Sequence, residues 1–240
     1  MRLFVFLPCL LAGGALFGLV SCNSPAAATG FLGETDRMMV KDERYPFQRC
    51  YRKPGMDFGD YKKVYVAPVQ TKEVKKPSEL GETNPRMVAE LFETDVALLA
   101  ADTRREFSES FREDAATERE LVVRPEKEEG VLWLEANLVE VIPSRPTLQA
   151  AGIFVRGLGF LNQPAIAIEV RLVDSVTREV LFAFADREKA EISLLDTQKF
   201  TFYGIQRREL QRWGRQVAEV MAARESEKVD DSFPIKPINW

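Results

Sequence analysis

The sequence contains no histidine, and it has three cysteines among its 240 residues. The lack of histidine excludes Ser-His-Asp and Cys-His nucleophile pairs, imidazole acid–base catalysis and the zinc sites that use histidine. Cys9 and Cys22 belong to an apolar N-terminal segment, so Cys50 alone cannot form a thiolate metal site. Its polar, proline-bounded surroundings favour a free thiol over a bridge to another chain. The spacing of the carboxylates singles out no pair, and we expect no enzyme, no cofactor and no metal.

An excess of positive charge is missing too. The chain has 33 Lys and Arg against 37 Asp and Glu, a net charge of −4 that becomes −5 when Arg2 is removed with the leader. Nucleic acids and anionic lipids attract a basic surface, so we expect no nucleic acid and no purely electrostatic attachment to a membrane. A content of 45% hydrophobic and 29% charged residues is that of an ordinary globular domain.

The one long apolar run is at the N-terminus. Arg2 precedes it, it extends from Leu3 to Val20, and it ends in Leu19-Val20-Ser21-Cys22. A positive start, an apolar stretch and small residues at the end are typical of a secretory signal peptide. The ending resembles the lipobox of bacterial lipoproteins, which implies that Cys22 is lipidated and becomes the first residue of the mature protein. The alternative is an uncleaved membrane helix that ends in cysteine.

We predict four segments from this ending and from the turn-prone residues that follow it. These are a signal peptide over residues 1–21, the lipidated Cys22 with a flexible tether over 22–59, a single domain over 60–224 and a C-terminal tail over 225–240. Asn23, rather than Asp, follows Cys22. By resemblance to the sorting rule of diderm bacteria, this predicts a lipid anchor in the periplasmic face of the outer membrane, with the inner membrane as the alternative.

Hydrophobic periodicity predicts the elements of the domain. Alternation with a period of two predicts strands, the last two forming an antiparallel hairpin, over Tyr61–Val69, Leu121–Val123, Val131–Ile142, Ala165–Val173 and Glu179–Asp186. Three-and-four spacing predicts one helix or two between Pro85 and about Asp114, and a last helix from Gly204 to Arg224. The expected fold class is α+β, an antiparallel sheet of about four to five strands with helices packed on one face and water on the other.

Arginines are concentrated in the last helix, at Arg207, Arg208, Arg212 and Arg215. We interpret them as a solvent-facing side of the helix with Glu209 and Glu219 as neighbours. The alternative is a surface for an anionic partner.

These pieces, taken in order, resemble domain of unknown function 3313, a family of predicted bacterial lipoproteins. The matching stretches are the lipobox, Tyr61–Val69, Val131–Ala136, Ala167–Leu181 with Asp186-Arg187, and Trp213–Val217, within roughly Gly59 to Arg224. The resemblance implies a lipid-anchored envelope protein. The family has no established chemistry, so the resemblance implies no catalytic residue.

A glycine-rich apolar segment over residues 150–161 contains a single charge, Arg156. It is interpreted either as a strand connection that covers the core or as an exposed surface for a protein partner or lipid. The candidate contact residues are Ile153, Phe154, Val155, Leu158, Phe160 and Leu161.

The leading functional hypothesis is a lipid-anchored, non-catalytic envelope lipoprotein that acts as an interaction or accessory module, with the membrane and an unidentified envelope protein as partners. The second is a small-molecule or lipid-binding periplasmic domain that uses segment 150–161. An enzyme that works with carboxylates alone is third, and it would show two buried acids with opposed pKa shifts in one cleft.

Overall fold

The computed structural model describes residues 28–74, 85–113, 119–142, 165–189 and 204–230. These residues form six strands, β1 to β6, and two α-helices, α1 and α2. The strands are Arg49–Arg52, Lys63–Val66, Glu120–Val122, Val131–Ile142, Ala165–Asp174 and Val180–Lys189, and the helices are Pro85–Glu113 and Gly204–Ala222. Two 3₁₀ turns, Gly33–Met38 and Phe58–Asp60, precede β2.

The six strands form one mixed sheet in the order β1-β6-β5-β4-β2-β3. The pairs β1–β6, β5–β6 and β4–β5 are antiparallel, whereas β2 runs parallel to both β3 and β4. The α+β class is confirmed, but the prediction of a purely antiparallel sheet with four to five strands is wrong. The parallel pairs arise because α1 follows β2 and carries the chain back to the end of the sheet from which β2 began.

The sheet also includes β1, which lies inside the stretch predicted as a tether over residues 22–59. Arg49–Arg52 pairs with β6, and Tyr45, Phe47 and Phe58 are buried in the main core. The predicted tail also starts as part of the folded body, since Val229 is buried in the same core. The folded body therefore begins well before residue 60 and continues past 224, because aromatic residues within polar stretches bury enough apolar surface to hold them against the sheet.

Both helices cover the same face of the sheet, which we call the inner face. The residues of α1 that repeat with three-and-four spacing are buried at Val96, Leu99, Thr103, Phe107 and Phe111. Residues 85–113 form a single helix, which resolves the choice between one helix and two. The inward residues of β4 and β5 join the buried residues of α1 and α2 in one core cluster.

Close approach and one arginine fix the helices relative to the rest of the fold. At Gly214 in α2, an added Cβ would lie 2.6 Å from Ser110 Oγ and 3.2 Å from a main-chain oxygen of α1, so glycine allows the two helices to meet here. Arg119 donates to the main-chain oxygens of Phe58, Tyr61 and Met221. This side chain therefore ties the end of α2, where helix carbonyls lack partners, to the turn before β2.

The opposite, outer face of the sheet is not the wet face that the alternation predicts. In β4 and β5 the residues that point away from the helices are buried or half-buried, and several of them are charged. A charged row stays buried at a sheet surface only where it is paired and covered. The residues that pair with it and cover it define the site described next.

Candidate functional site: the strap and the polar row

The residues predicted as functional from the sequence lie outside the described residues. Cys22 precedes residue 28, and Ile153, Phe154, Val155, Leu158, Phe160 and Leu161 fall in the stretch between 142 and 165. Their roles stay predictions. The described part of the chain instead brings together a set of polar residues that the sequence reasoning did not single out.

Four residues of β4 and β5 form what we call the polar row on the outer face. The strand register sets Glu135 opposite Arg171 and Asn137 opposite Glu169. The Arg171 guanidinium donates to Glu135 at 2.8 Å, and Arg178 in the β5–β6 turn donates to the second oxygen of the same carboxylate. Burial alone would raise the pKa of Glu135, but the hydrogen bonds from the two arginines outweigh it and hold that pKa below its ordinary value. Glu135 is therefore an ionised structural partner, not a proton donor.

The N-terminal segment Thr29–Val40, which we call the strap, begins on top of the polar row. The Thr29 hydroxyl donates to Glu169 Oε2, and the Thr29 amide donates to Glu169 Oε1 at 3.3 Å. Asn137 Nδ2 donates to the Thr29 hydroxyl oxygen at 3.1 Å. Glu169 is 2% exposed and Asn137 is 1% exposed. The start of the strap is thus bonded to a buried carboxylate in the middle of the sheet.

The strap continues across β5, β6 and β1. The Phe31 carbonyl accepts from Arg171 at 2.8 Å, and the Phe31 ring lies 4.6 Å from the same guanidinium. Leu32 and Met39 are buried against Ala183 and Ala185 of β6, whose small side chains let the strap approach the sheet. Val40 then exchanges two backbone hydrogen bonds with β1. The strap is therefore an integral covering of the outer face.

The inner face holds a second buried carboxylate that was not predicted, Asp186 on β6. It is 3% exposed. It accepts from Trp213 Nε1 of α2 at 2.7 Å and from the main-chain N–H of Gln48 at 3.1 Å. Burial, with a smaller contribution from Glu188, raises its pKa to about 7. Its position in the alternation of Phe182 and Phe184 could have signalled an acid that points into the core.

These acids do not form the carboxylate pair that an enzyme of the third hypothesis needs. Glu135, with a lowered pKa, lies on the outer face, and Asp186, with a raised pKa, lies on the inner face. The sheet separates them, so they share no cleft. Within the described ranges, no group of three or more His, Cys, Asp or Glu side chains is arranged to hold a metal ion.

The arginines of α2 have acidic neighbours. Arg207 pairs with Asp102 of α1 at 2.9 Å, and Arg212 pairs with Glu188 at 2.6 Å and Glu209 at 3.0 Å. The predicted neighbour Glu209 is thus present and Arg207 faces solvent as expected, but Arg212 is only 17% exposed and is not part of a solvent-facing side.

Cys50 is a free thiol that is 2% exposed. Burial raises its pKa to about 11. A buried, protonated thiol reacts slowly, in agreement with the free thiol expected from the sequence.

Taken together, the fold and the polar row define an α+β domain with a mixed six-stranded sheet, helices on one face and an N-terminal strap on the other. No helix within the described ranges is both long and apolar enough to cross a bilayer. The chain belongs to the family described as Protein of unknown function (DUF3313), which matches residues 27–217. The match begins at the strap, well before the Gly59 expected from the sequence, and the family assignment made there is confirmed.

Several solved structures are similar in outline. The PelC dodecamer from Paraburkholderia phytofirmans is 11% identical, with a TM-score of 0.42 over 74% of this chain and 97% of that chain. The hypothetical protein CT253 from Chlamydia trachomatis is 12% identical, with a TM-score of 0.36 over 66% of this chain and 95% of that one. Lipoprotein GNA1162 from Neisseria meningitidis is 17% identical, with a TM-score of 0.25 over 65% of this chain and 98% of that one. At such scores the likenesses carry no conclusion about function. No curated protein matches the sequence.

Proposed function

We propose that this protein is a lipid-anchored, non-catalytic lipoprotein of the cell envelope that acts as an accessory or interaction module. Cys22, in the sequence Leu19-Val20-Ser21-Cys22, carries the lipid, and the folded domain stands on the periplasmic side of the outer membrane. Several acyl chains on one cysteine meet the requirement that stable anchoring takes more than one chain.

The observation that carries the proposal is the attachment of Thr29 to the polar row. Thr29 is seven positions after Cys22. A short connection between the predicted anchor and the folded domain suits a module that is presented at a defined place beside the membrane. Among the described residues, the buried charges of the outer face hold the strap and support no acid–base pair. The site thus serves to join the predicted anchor to the domain.

The first experiment tests the anchor. Cys22→Ser removes the acceptor thiol, and we expect the variant to appear as a folded protein in the soluble fraction, without incorporated radiolabelled palmitate. Cys50→Ser is the matched control, because its thiol is buried in the core and is no acceptor for lipid. It should remain in the membrane with its label. A Cys22→Ser protein that stays in the membrane would refute the anchor.

A second experiment tests the choice of membrane. In a diderm host, Asn23→Asp introduces the residue that favours retention in the inner membrane. We expect the variant to move from the outer-membrane to the inner-membrane fraction of a density gradient. If the variant and the unsubstituted protein are both found in the inner-membrane fraction, the inner membrane is the location of the protein.

The partner surface is proposed from the composition of segment 150–161. A photo-crosslinking residue at Phe154 or Phe160 in living cells should give a discrete adduct, and the same residue at the exposed Val176 should not. A protein adduct supports the interaction module. A lipid adduct, together with a bound lipid in native mass spectrometry, supports the lipid-binding alternative.

A further inference from the structure

We propose that the outer face of the sheet, covered by the strap, lies toward the bilayer, and that the helix layer is turned away from it. This inference rests on the proposed lipid anchor at Cys22 and adds the orientation of the domain and the surface that meets the polar headgroups. It follows from where the anchored chain enters the fold and from how little chain precedes that point.

The chain enters the fold in the middle of the outer face. Thr29 is bonded to Glu169 of β5 and to Asn137 of β4, and both side chains are almost fully buried. In the order β1-β6-β5-β4-β2-β3, β5 and β4 are the two central strands. The exit point of the anchored segment is therefore as far as it can be from either long edge of the sheet.

The connection from Thr29 to Cys22 is short. Fully extended, seven residues span about 25 Å at most. A flexible chain of that length has a typical end-to-end distance of about 15 Å. The lipidated residue therefore lies within about 25 Å of the centre of the outer face in any conformation of the connection.

The far side of the helix layer lies beyond the reach of this connection. From the centre of the sheet to an edge is about 12 Å, because neighbouring strands are about 4.8 Å apart. The distance from the sheet to the far side of a packed helix adds about 15 Å, as the usual packing distance and the helix radius give. The path around the edge is thus longer than the connection even before the side chains at the edge are counted. The anchor reaches a bilayer beside the outer face easily, whereas a bilayer beside α1 and α2 needs a path of about 27 Å, which is longer than the roughly 25 Å of the fully extended connection.

The exposed residues of the strap suit a headgroup contact. Glu34 and Arg37 form an ion pair at 2.7 Å on the 3₁₀ turn of the strap, and the Arg37 side chain is 79% exposed. Charged side chains remain solvated among polar headgroups, whereas their transfer into hydrocarbon costs free energy. The contact is therefore shallow, and the strap faces the membrane without inserting into it.

The orientation is tested with a fluorophore at single cysteines of the lipidated full-length protein. Arg37→Cys places the dye on the strap, and Leu98→Cys places it on the solvent side of α1, where Leu98 is 58% exposed. Lipidation blocks Cys22, and Cys50 is buried with a raised pKa, so the unsubstituted protein should take up no dye. Both proteins are reconstituted into vesicles of phosphatidylethanolamine and phosphatidylglycerol that carry a nitroxide quencher at the headgroup.

We expect the dye at position 37 to be quenched roughly threefold or more compared with position 98, because the helix layer lies at least a helix diameter farther from the headgroups. Inserting a Gly-Ser segment as long as the connection itself between Ala27 and Ala28 should reduce this difference to near equality while the protein stays bound to the vesicles. Equal quenching at the two positions with the native connection, or stronger quenching at 98, would overturn the orientation. A protein that does not float with the vesicles at all would instead overturn the anchor, and so the two failures are distinguishable.

Discussion

Raising the pH from about 5 to about 8 should destabilise the folded domain, because Asp186 must then ionise inside the core. The carboxyl group lies between β6 and α2, where it accepts from the Trp213 indole and from the Gln48 amide. Glu188 and Arg212 are the charged groups that face it, with opposite effects. Burial raises the pKa of Asp186 by more than the two hydrogen-bond donors lower it, so the carboxyl group holds its proton more tightly in the folded state than in the unfolded chain.

The size of the effect follows from the difference in pKa between the two states. The pKa of Asp186 rises from 3.8 to about 7 on folding. Stability from this group is therefore complete below about pH 4 and is lost as the pH rises through about 7, at about 1.4 kcal/mol per pH unit. About 4 kcal/mol is the upper bound for the whole window, and about 3 kcal/mol of it falls between pH 5 and 7. The carboxylates with lowered pKa values, Asp42, Glu135 and Asp174, lose their stabilising effect only in more acidic solution.

The assay is urea unfolding of the mature Cys22→Ser chain at a series of pH values, followed by tryptophan fluorescence. Asp186→Asn is the matched variant because it keeps the shape and cannot ionise. Its amide can accept from only one of the two donors, so we expect it to be about 1–3 kcal/mol less stable at pH 5 and nearly independent of pH from 5 to 8. The reasoning is refuted if the unsubstituted chain is as flat as the variant, or if it gains stability as the pH rises through this window.

Three further predictions concern packing and the strap. Gly214→Ala should cost about 1–3 kcal/mol, because the new methyl group would lie 2.6 Å from Ser110 Oγ, and Ser110→Ala in the same chain should recover part of that loss in urea unfolding; an unchanged single variant would contradict the close approach. Thr29→Val should accelerate amide hydrogen exchange in the strap while leaving β4 protected, because the bonds to the buried Glu169 are lost; unchanged exchange in the strap would contradict this attachment. Arg119→Met should lower the unfolding free energy by about 2–3 kcal/mol, since three main-chain oxygens lose their donor, and an Arg119→Lys chain that is fully stable would show that the forked guanidinium is dispensable.

Much of the secondary structure could be predicted because hydrophobic periodicity is a local property. Val131–Ile142 is a strand with the bounds predicted from alternation, and Gly204–Ala222 is the helix predicted from three-and-four spacing. By contrast, Arg49–Arg52 is a short edge strand with one buried residue, Cys50, and it shows no alternation to detect. Its place in the sheet depends on β6, which lies more than a hundred residues farther along the chain.

The candidate site was less predictable than the fold. Glu135, Asn137, Glu169 and Arg171 stand at outward positions of their strands, and at such positions polar residues indicate contact with water. Their burial depends on the strap, whose polar composition indicated a tether. Asp186 was not predicted either, although its inward position, two residues after Phe184, was visible in the alternation.

The sequence by itself determined which side chains can face apolar surroundings, the absence of histidine chemistry, the expected anchor at Cys22 and the family to which the chain belongs. The tertiary structure decided that β2 is parallel to its neighbours, that residues before 60 are part of the domain, and that charges of the outer face are buried pairs. The physical reason is that periodicity shows whether a residue has apolar or polar surroundings, but not which distant segment of the chain provides those surroundings. Thr29 and Glu169 are 140 positions apart, and only folding brings the hydroxyl of one to the carboxylate of the other.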